Sequence, residues 1–162
     1  MLRDFANQIT NRRSTSGKAI MLYGAAVLWS SRQQPTVALS TAEAEYYALG
    51  EVGRDIVWFR RLMDDLGSPV SRPTPTLEDN RSAMKWASDS ASWSKTRHID
   101  VKYHKVREWV ALEQMRVEHC PTSAQIADIC TKALPADAHL RLKPLILGEA
   151  YKSERQSPAA AA

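Results

Sequence analysis

The chain has 162 residues, 44% hydrophobic and 25% charged, with a formal net charge of +4, which suits one globular domain with a true core and excludes a disordered chain. Only Cys120 and Cys130 are present, too few for a disulfide framework or a thiolate zinc site, so a reducing, intracellular setting is expected. The opening MLRDFANQITNRR lacks the apolar centre of a signal peptide and no run is long enough for a membrane span, so no membrane association is expected, while the mild basicity fits a polyanionic partner without requiring one.

The stretch KAIMLYGAAVLWSS (residues 18–31) is rich in β-forming side chains and interrupted at Gly24. It predicts two short strands joined by a turn, and TVALS (36–40) predicts a third. A long helix follows over 40–66. Ser40 and Glu43 have the spacing of a capping box, and Gly67 and Pro69 form the stop. The proline-spaced loop GSPVSRPTP leads to a short strand near 76–78, and RSAMKWAS restarts a helix. SASWSKTR reads as a loop. Ile99, Tyr103, Val106 and Val110 mark another amphipathic helix, and MRVEHC alternates as a strand does. Thr122 and Gln125 predict a capping box opening a helix over SAQIADICTKAL, and AHLRLKPLILG predicts a last helix broken by Pro144. The tail from Ser153 is expected to be disordered. The order of elements describes a mixed α/β domain with helices packed on a central sheet.

Three acids come from separate elements. Glu45 leads the helical stripe 45, 49, 52, 56, 59, 63 and 66, otherwise apolar, whereas Glu43 belongs to the cap. A core-facing carboxylate needs a partner, a proton or a metal, or else lies at the wet edge of the first turn; periodicity leaves both open. Asp79 follows the strand near 76–78, where it or Asn80 is also suited to cap the next helix. Asp128 lies beside the apolar line of Ile126, Ile129 and Ala133, a position equally suited to a solvated acid. Carboxylates from several elements that meet at a sheet edge can hold two magnesium ions for in-line attack on a phosphodiester.

Taken in order, NRRSTSGK, WSSRQQPTVALSTAEAEYYAL, LEDNRSAMKWA, KTRHIDVKYHKVRE and PTSAQIADICTKALP resemble the ribonuclease H region of Ty1/copia-type retrotransposon Pol polyproteins, from about Asp4 to Pro135. The resemblance implies an α/β ribonuclease H-like fold, a mixed five-stranded sheet flanked by helices, over 1–135. A helical extension over 136–152 and a tail over 153–162 would follow. It implies that Glu45, Asp79 and Asp128 are catalytic and hold two Mg2+ or Mn2+ ions. It also implies cleavage of the RNA strand of an RNA/DNA hybrid during reverse transcription, an upstream reverse transcriptase domain as partner, and a cytoplasmic, virus-like-particle or nuclear location. Discrimination of RNA from DNA would rest on 2′-hydroxyl contacts and duplex shape.

The chain departs from that pattern at its start. The first catalytic aspartate of the resembled motif falls at residue 2, which is Leu2. Most of the first strand is expected to be missing, as in an N-terminally truncated fragment. Asp4 is the weak substitute, on the same strand face but about 6–7 Å along. The alternative is a catalytically decayed remnant that keeps at most nucleic-acid or partner binding. An integrase of related fold fits less well, because its acidic series ends in glutamate whereas this one ends in Asp128. Arg12, Arg13, Lys18, Lys95, Arg97, His98, Lys102 and Lys105 are the candidate phosphate contacts, with ordinary solvated charge as the alternative for each. His98, Asp100 and His104 do not have the spacing of a compact helical metal site.

Overall fold

The computed structural model describes residues 3–4, 12–88, 99 and 101–149. Three strands come first: β1 (Arg3–Asp4), β2 (Thr15–Leu22) and β3 (Ala25–Gln33). The β2–β3 turn is Tyr23-Gly24, with φ of 49° and 79°. Two positive φ angles match the twist of a hairpin, and Gly24 adopts its angle without a Cβ penalty.

Helix α1 (Thr41–Asp65) starts where the sequence places it. The Ser40 hydroxyl accepts the Glu43 N–H at 3.1 Å, while the Glu43 carboxylate accepts the Leu39 N–H at 2.9 Å and the Tyr47 hydroxyl. At the other end Gly67 N–H donates to Asp64 O and Ser68 N–H to Met63 O, which satisfies last-turn carbonyls. Arg60 ties down the loop that follows, donating to the carbonyls of Val70 and Arg72 and to the Thr74 hydroxyl. Next come β4 (Thr74–Glu78), α2 (Arg81–Ser88), α3 (Val101–Ala111) and β5 (Met115–His119). Two 3-10 turns, Thr122–Ala124 and Ile126–Cys130, lead to α4 (Ala136–Ile146).

The core lies around α1, whose Tyr46, Leu49, Val52 and Ile56 are buried with Ile20 of β2, Ala83 of α2, Val106 of α3 and Met115 of β5. Tyr47 and Tyr103 stack with ring centroids 4.3 Å apart where α1 meets α3. The stripe read from the sequence is buried through Ile56 and then frays, leaving Leu66 exposed.

Four expectations are corrected. The expected five-stranded sheet is two sheets among the described residues: antiparallel β1-β2-β3, and parallel β4-β5 in register from Thr74↔Met115 to Glu78↔His119. The described part of β1 spans only the partners of Ser16 and Thr15, so it does not join the sheets. TVALS is not a strand; Leu39 is 76% exposed and no strand among the described residues pairs with the segment. The helix expected over SAQIADICTKAL is replaced by the two 3-10 turns, and neither has a side-chain cap. Helix α4 runs through Pro144 to Ile146. Lying near the helix end, Pro144 removes only a donor of the last turn. The tail from Ser153 lies outside the described residues.

Candidate functional site

The head of α1 is fixed by a residue that periodicity does not reveal. Gln34, buried just after β3, donates through Nε2 to Ser16 Oγ at 2.8 Å and to the Ala44 carbonyl at 2.9 Å. One amide thus ties β2 to the first turn of α1. Glu45 follows just after that turn and is 1% exposed, so it faces inward and not toward a wet edge. Glu43 is buried as well, but its two oxygens serve Leu39 and Tyr47. Burial and then this hydrogen bond push the Tyr47 phenol up, so the hydroxyl stays a donor.

Asp79 and Asp128, 49 residues apart in the chain, are close enough for the charge of one to act on the other. Asn80, not Asp79, caps α2, its Oδ1 accepting the N–H groups of Ser82 and Ala83 at 3.0 and 3.1 Å. That leaves Asp79 for another partner, the Thr122 hydroxyl, which donates to its Oδ2 at 2.7 Å. Asp128 is carried by the second 3-10 turn, which sits against β2. A Cβ at Gly17 would come within 2.8 Å of the Ala127 carbonyl, so only glycine allows this approach. Burial raises the Asp128 carboxyl, opposed by Lys132 at 3.3 Å and reinforced by the negative charge of Asp79. Asp128 Oδ1 is buried with no hydrogen-bond partner among the described residues.

Glu78, which the sequence does not single out, is fully buried beside Asp79 at the end of β4. Its Oε1 accepts the Asn80 N–H at 2.9 Å, and Oε2 has no hydrogen-bond partner among the described residues. Burial, with Asp79 adding, pushes it up to about 7. Its only sequence signal is the alternation of β4, which turns Thr76 and Glu78 to the same buried side.

Among the described residues no three His, Cys, Asp or Glu side chains stand close enough to form a ready-made metal site. The negative charge of Asp79 acts on Asp128, and the buried Oδ1 of Asp128, without a hydrogen-bond partner among the described residues, is a hard-oxygen donor of the type that suits a divalent cation. Glu45 is not gathered into a three-acid cluster with them. The backbone of Asp4 is paired with Thr15 on β1.

The basic candidates separate. Arg12 and Arg13 are exposed. Lys18 is largely enclosed and ion-paired with Asp55 of α1. Lys105 is exposed and bonded to Glu108 at 2.6–2.7 Å. Lys102 lies on α3; Lys95, Arg97, His98 and Asp100 lie outside the described residues. His104 Nδ1 is 3.2 Å from the Tyr46 hydroxyl, and Arg107 lies over the same ring while donating to the Trp86 carbonyl. His104 therefore braces α3 against α1. No helix among the described residues is long and apolar enough to cross a membrane.

The chain resembles known proteins in sequence. A retrovirus-related Pol polyprotein from transposon TNT 1-94 of Nicotiana tabacum is 36% identical over 143 residues, 88% of this chain and 11% of that protein. The retrovirus-related Pol polyproteins from transposons RE1 and RE2 of Arabidopsis thaliana are each 32% identical, over 83% and 81% of this chain and 9% of their own lengths. The chain is thus homologous to a stretch of plant-transposon Pol polyproteins and spans about a tenth of the length of these relatives. No protein-family model matches it, and no solved structure does.

Proposed function

From this homology to a stretch of transposon Pol polyproteins, we propose that the chain is a ribonuclease H-type domain that hydrolyses the RNA strand of RNA/DNA hybrids during reverse transcription. The observation that carries the proposal is the buried Asp128 Oδ1 without a hydrogen-bond partner among the described residues, on a carboxyl that feels the negative charge of Asp79 from the end of β4, 49 residues earlier in the chain. The ordered motifs support it, as does the inward burial of Glu45.

Asp79 and Asp128 would hold a divalent ion directly, and the resemblance assigns Glu45 of α1 as the third carboxylate although it stands apart from them. Bound magnesium supplies an activated attacking water and positive charge for the departing 3′ oxygen. Thr122 orients the Asp79 carboxylate by donating to one oxygen and leaving the other for a cation. Lys132, 3.3 Å from Asp128, offsets its charge. Arg12, Arg13 and Lys105 are the exposed cations suited to the phosphate backbone.

A second reading, a remnant that keeps nucleic-acid or partner binding without hydrolysis, is favoured by Leu2 at the first acidic position and by the absence of a three-acid cluster among the described residues. The two readings part on one experiment: cleavage of an end-labelled RNA/DNA hybrid with magnesium and then manganese, beside Glu45→Gln. Cleavage that disappears in the variant is the expected result. No cleavage by a folded chain that still binds the hybrid would establish the remnant.

A further inference from the structure

Between helices α1 and α3 lies a groove of about 530 Å3, within the roughly 300–1,000 Å3 range of sites that take small molecules. Its floor depends on two glycines of α1. A Cβ at Gly50 would come within 2.8 Å of the Tyr103 ring and one at Gly53 within 2.5 Å of the Trp109 ring, so both rings rest directly on the helix backbone. Tyr103 is buried and stacked on Tyr47, whereas Trp109 is half-buried and lines the groove.

The rim is charged. Glu51 and Arg54 are three residues apart on α1, and Lys105 and Trp109 four apart on α3, spacings that put each pair on one side of its helix. Lys105 is held by Glu108 at 2.6–2.7 Å. The side chains of Glu51 and Arg54, by contrast, have no ion pair or hydrogen bond among the described residues. One half-buried aromatic ring thus shares a groove with one uncommitted carboxylate and one uncommitted guanidinium.

We infer that the α1–α3 groove binds a guanine nucleotide, with the base against Trp109, its N1–H and N2–H groups donating to the Glu51 carboxylate, and its phosphate accepting from Arg54. Guanine is the standard base whose pairing edge offers two adjacent donors, which a carboxylate accepts with its two oxygens; adenine presents an acceptor in the same place. An aromatic ring stacks any base, and a guanidinium matches a phosphate with paired N–H groups, so the three side chains divide the ligand between them. A cationic peptide side chain fits Trp109 and Glu51 but meets the charges of Arg54 and Lys105. The groove is separate from the acids: Gly50 stands five residues beyond Glu45, about 7.5 Å along α1 and about 140° around it, and neither Asp79 nor Asp128 lines the groove. Binding there is independent of metal and of hydrolysis. The guanine comes either as a free nucleotide or as an unpaired base within a strand.

The probe is guanosine 5′-monophosphate, titrated into the full chain in EDTA so that no metal links its phosphate to the acids. Saturable quenching of tryptophan fluorescence and amide NMR shifts confined to residues 50–54 and 105–109 are expected. The adenine counterpart should bind roughly tenfold or more weakly. Arg54→Gln should weaken the guanine nucleotide roughly tenfold while leaving guanosine, which has no phosphate, unchanged. Glu51→Gln should remove most of the preference for guanine over adenine. A TTGTT pentamer that competes with the mononucleotide and binds more tightly assigns the groove to an unpaired guanine in a strand; one that binds more weakly assigns it to the free nucleotide. No saturable binding, equal binding of the two mononucleotides, shifts elsewhere, or affinities unmoved by both substitutions would overturn the inference.

Discussion

Two regions carry the acids, and they are held by different means. At the head of α1, Glu43 and Glu45 are placed by a 25-residue helix with a serine cap and by Gln34, so their positions follow from local periodicity plus one tertiary hydrogen bond. At the end of β4, Asp79 and Asp128 are placed by contacts between distant segments: Thr122 to Asp79, and Gln125 to the Leu77 carbonyl at 3.3 Å. The first region is rigid because many residues share one helix. The second depends on a few polar contacts across two short turns, so small changes there should alter chemistry before they alter the fold.

The largest expected effect lies in the second region. Asp79→Asn keeps a side chain able to accept from Thr122 but removes the charge, and should lower hybrid cleavage by about a hundredfold or more. The circular-dichroism spectrum and melting temperature should stay close to those of the parent. Unchanged cleavage would remove Asp79 from the site.

Glu78 gives the next effect, on stability. A buried carboxyl raised from 4.5 to about 7 binds its proton more tightly in the folded chain than in the unfolded one. Stability is therefore greatest below the unfolded value and falls as pH rises between about 4.5 and 7, by up to a few kcal/mol. Urea titrations across that range should show the decline, and Glu78→Gln should flatten it. A parallel decline in Glu78→Gln would assign the pH dependence to other groups.

The same contrast explains what could be read from the sequence. The cap at Ser40, the stop at Gly67, the hairpin at Gly24 and the buried faces of Ile99, Tyr103 and Val106 were legible because each is set by residues a few positions apart. The helix expected over SAQIADICTKAL was not borne out, because Thr122 bonds to Asp79 and Gln125, at ψ 100°, turns its amide to Leu77 and Cys120. Asp79 and Leu77 lie outside any local window. TVALS has the composition of a short strand, but composition supplies no neighbour to pair with. The burial of Glu78 beside Asp79 depends on how separate elements stack.

Gly17→Ala probes that stacking. Its added Cβ meets the Ala127 backbone and Thr131, so β2 and the Asp128 turn must move apart, at a cost of about 1–3 kcal/mol. Thermal unfolding should register the loss, with cleavage falling beyond what the unfolded fraction explains. A loss of stability with full cleavage per folded molecule would mean that Asp128 tolerates displacement.

The smallest effects form a matched pair. Ser40→Ala removes the hydroxyl that accepts Glu43 N–H and should cost about 1 kcal/mol of stability. Cleavage per folded molecule should hold, because Gln34 still ties the first turn to β2. Thr122→Val removes an exposed hydroxyl of similar size, so stability should shift by less than about 0.5 kcal/mol. It leaves Asp79 unoriented, however, and the magnesium concentration needed for half-maximal cleavage should rise roughly tenfold. The helix head would then lose stability without function, and the turn would lose function without stability. If both variants behaved alike, the division between a region held by its helix and one held by a few long-range hydrogen bonds would fail.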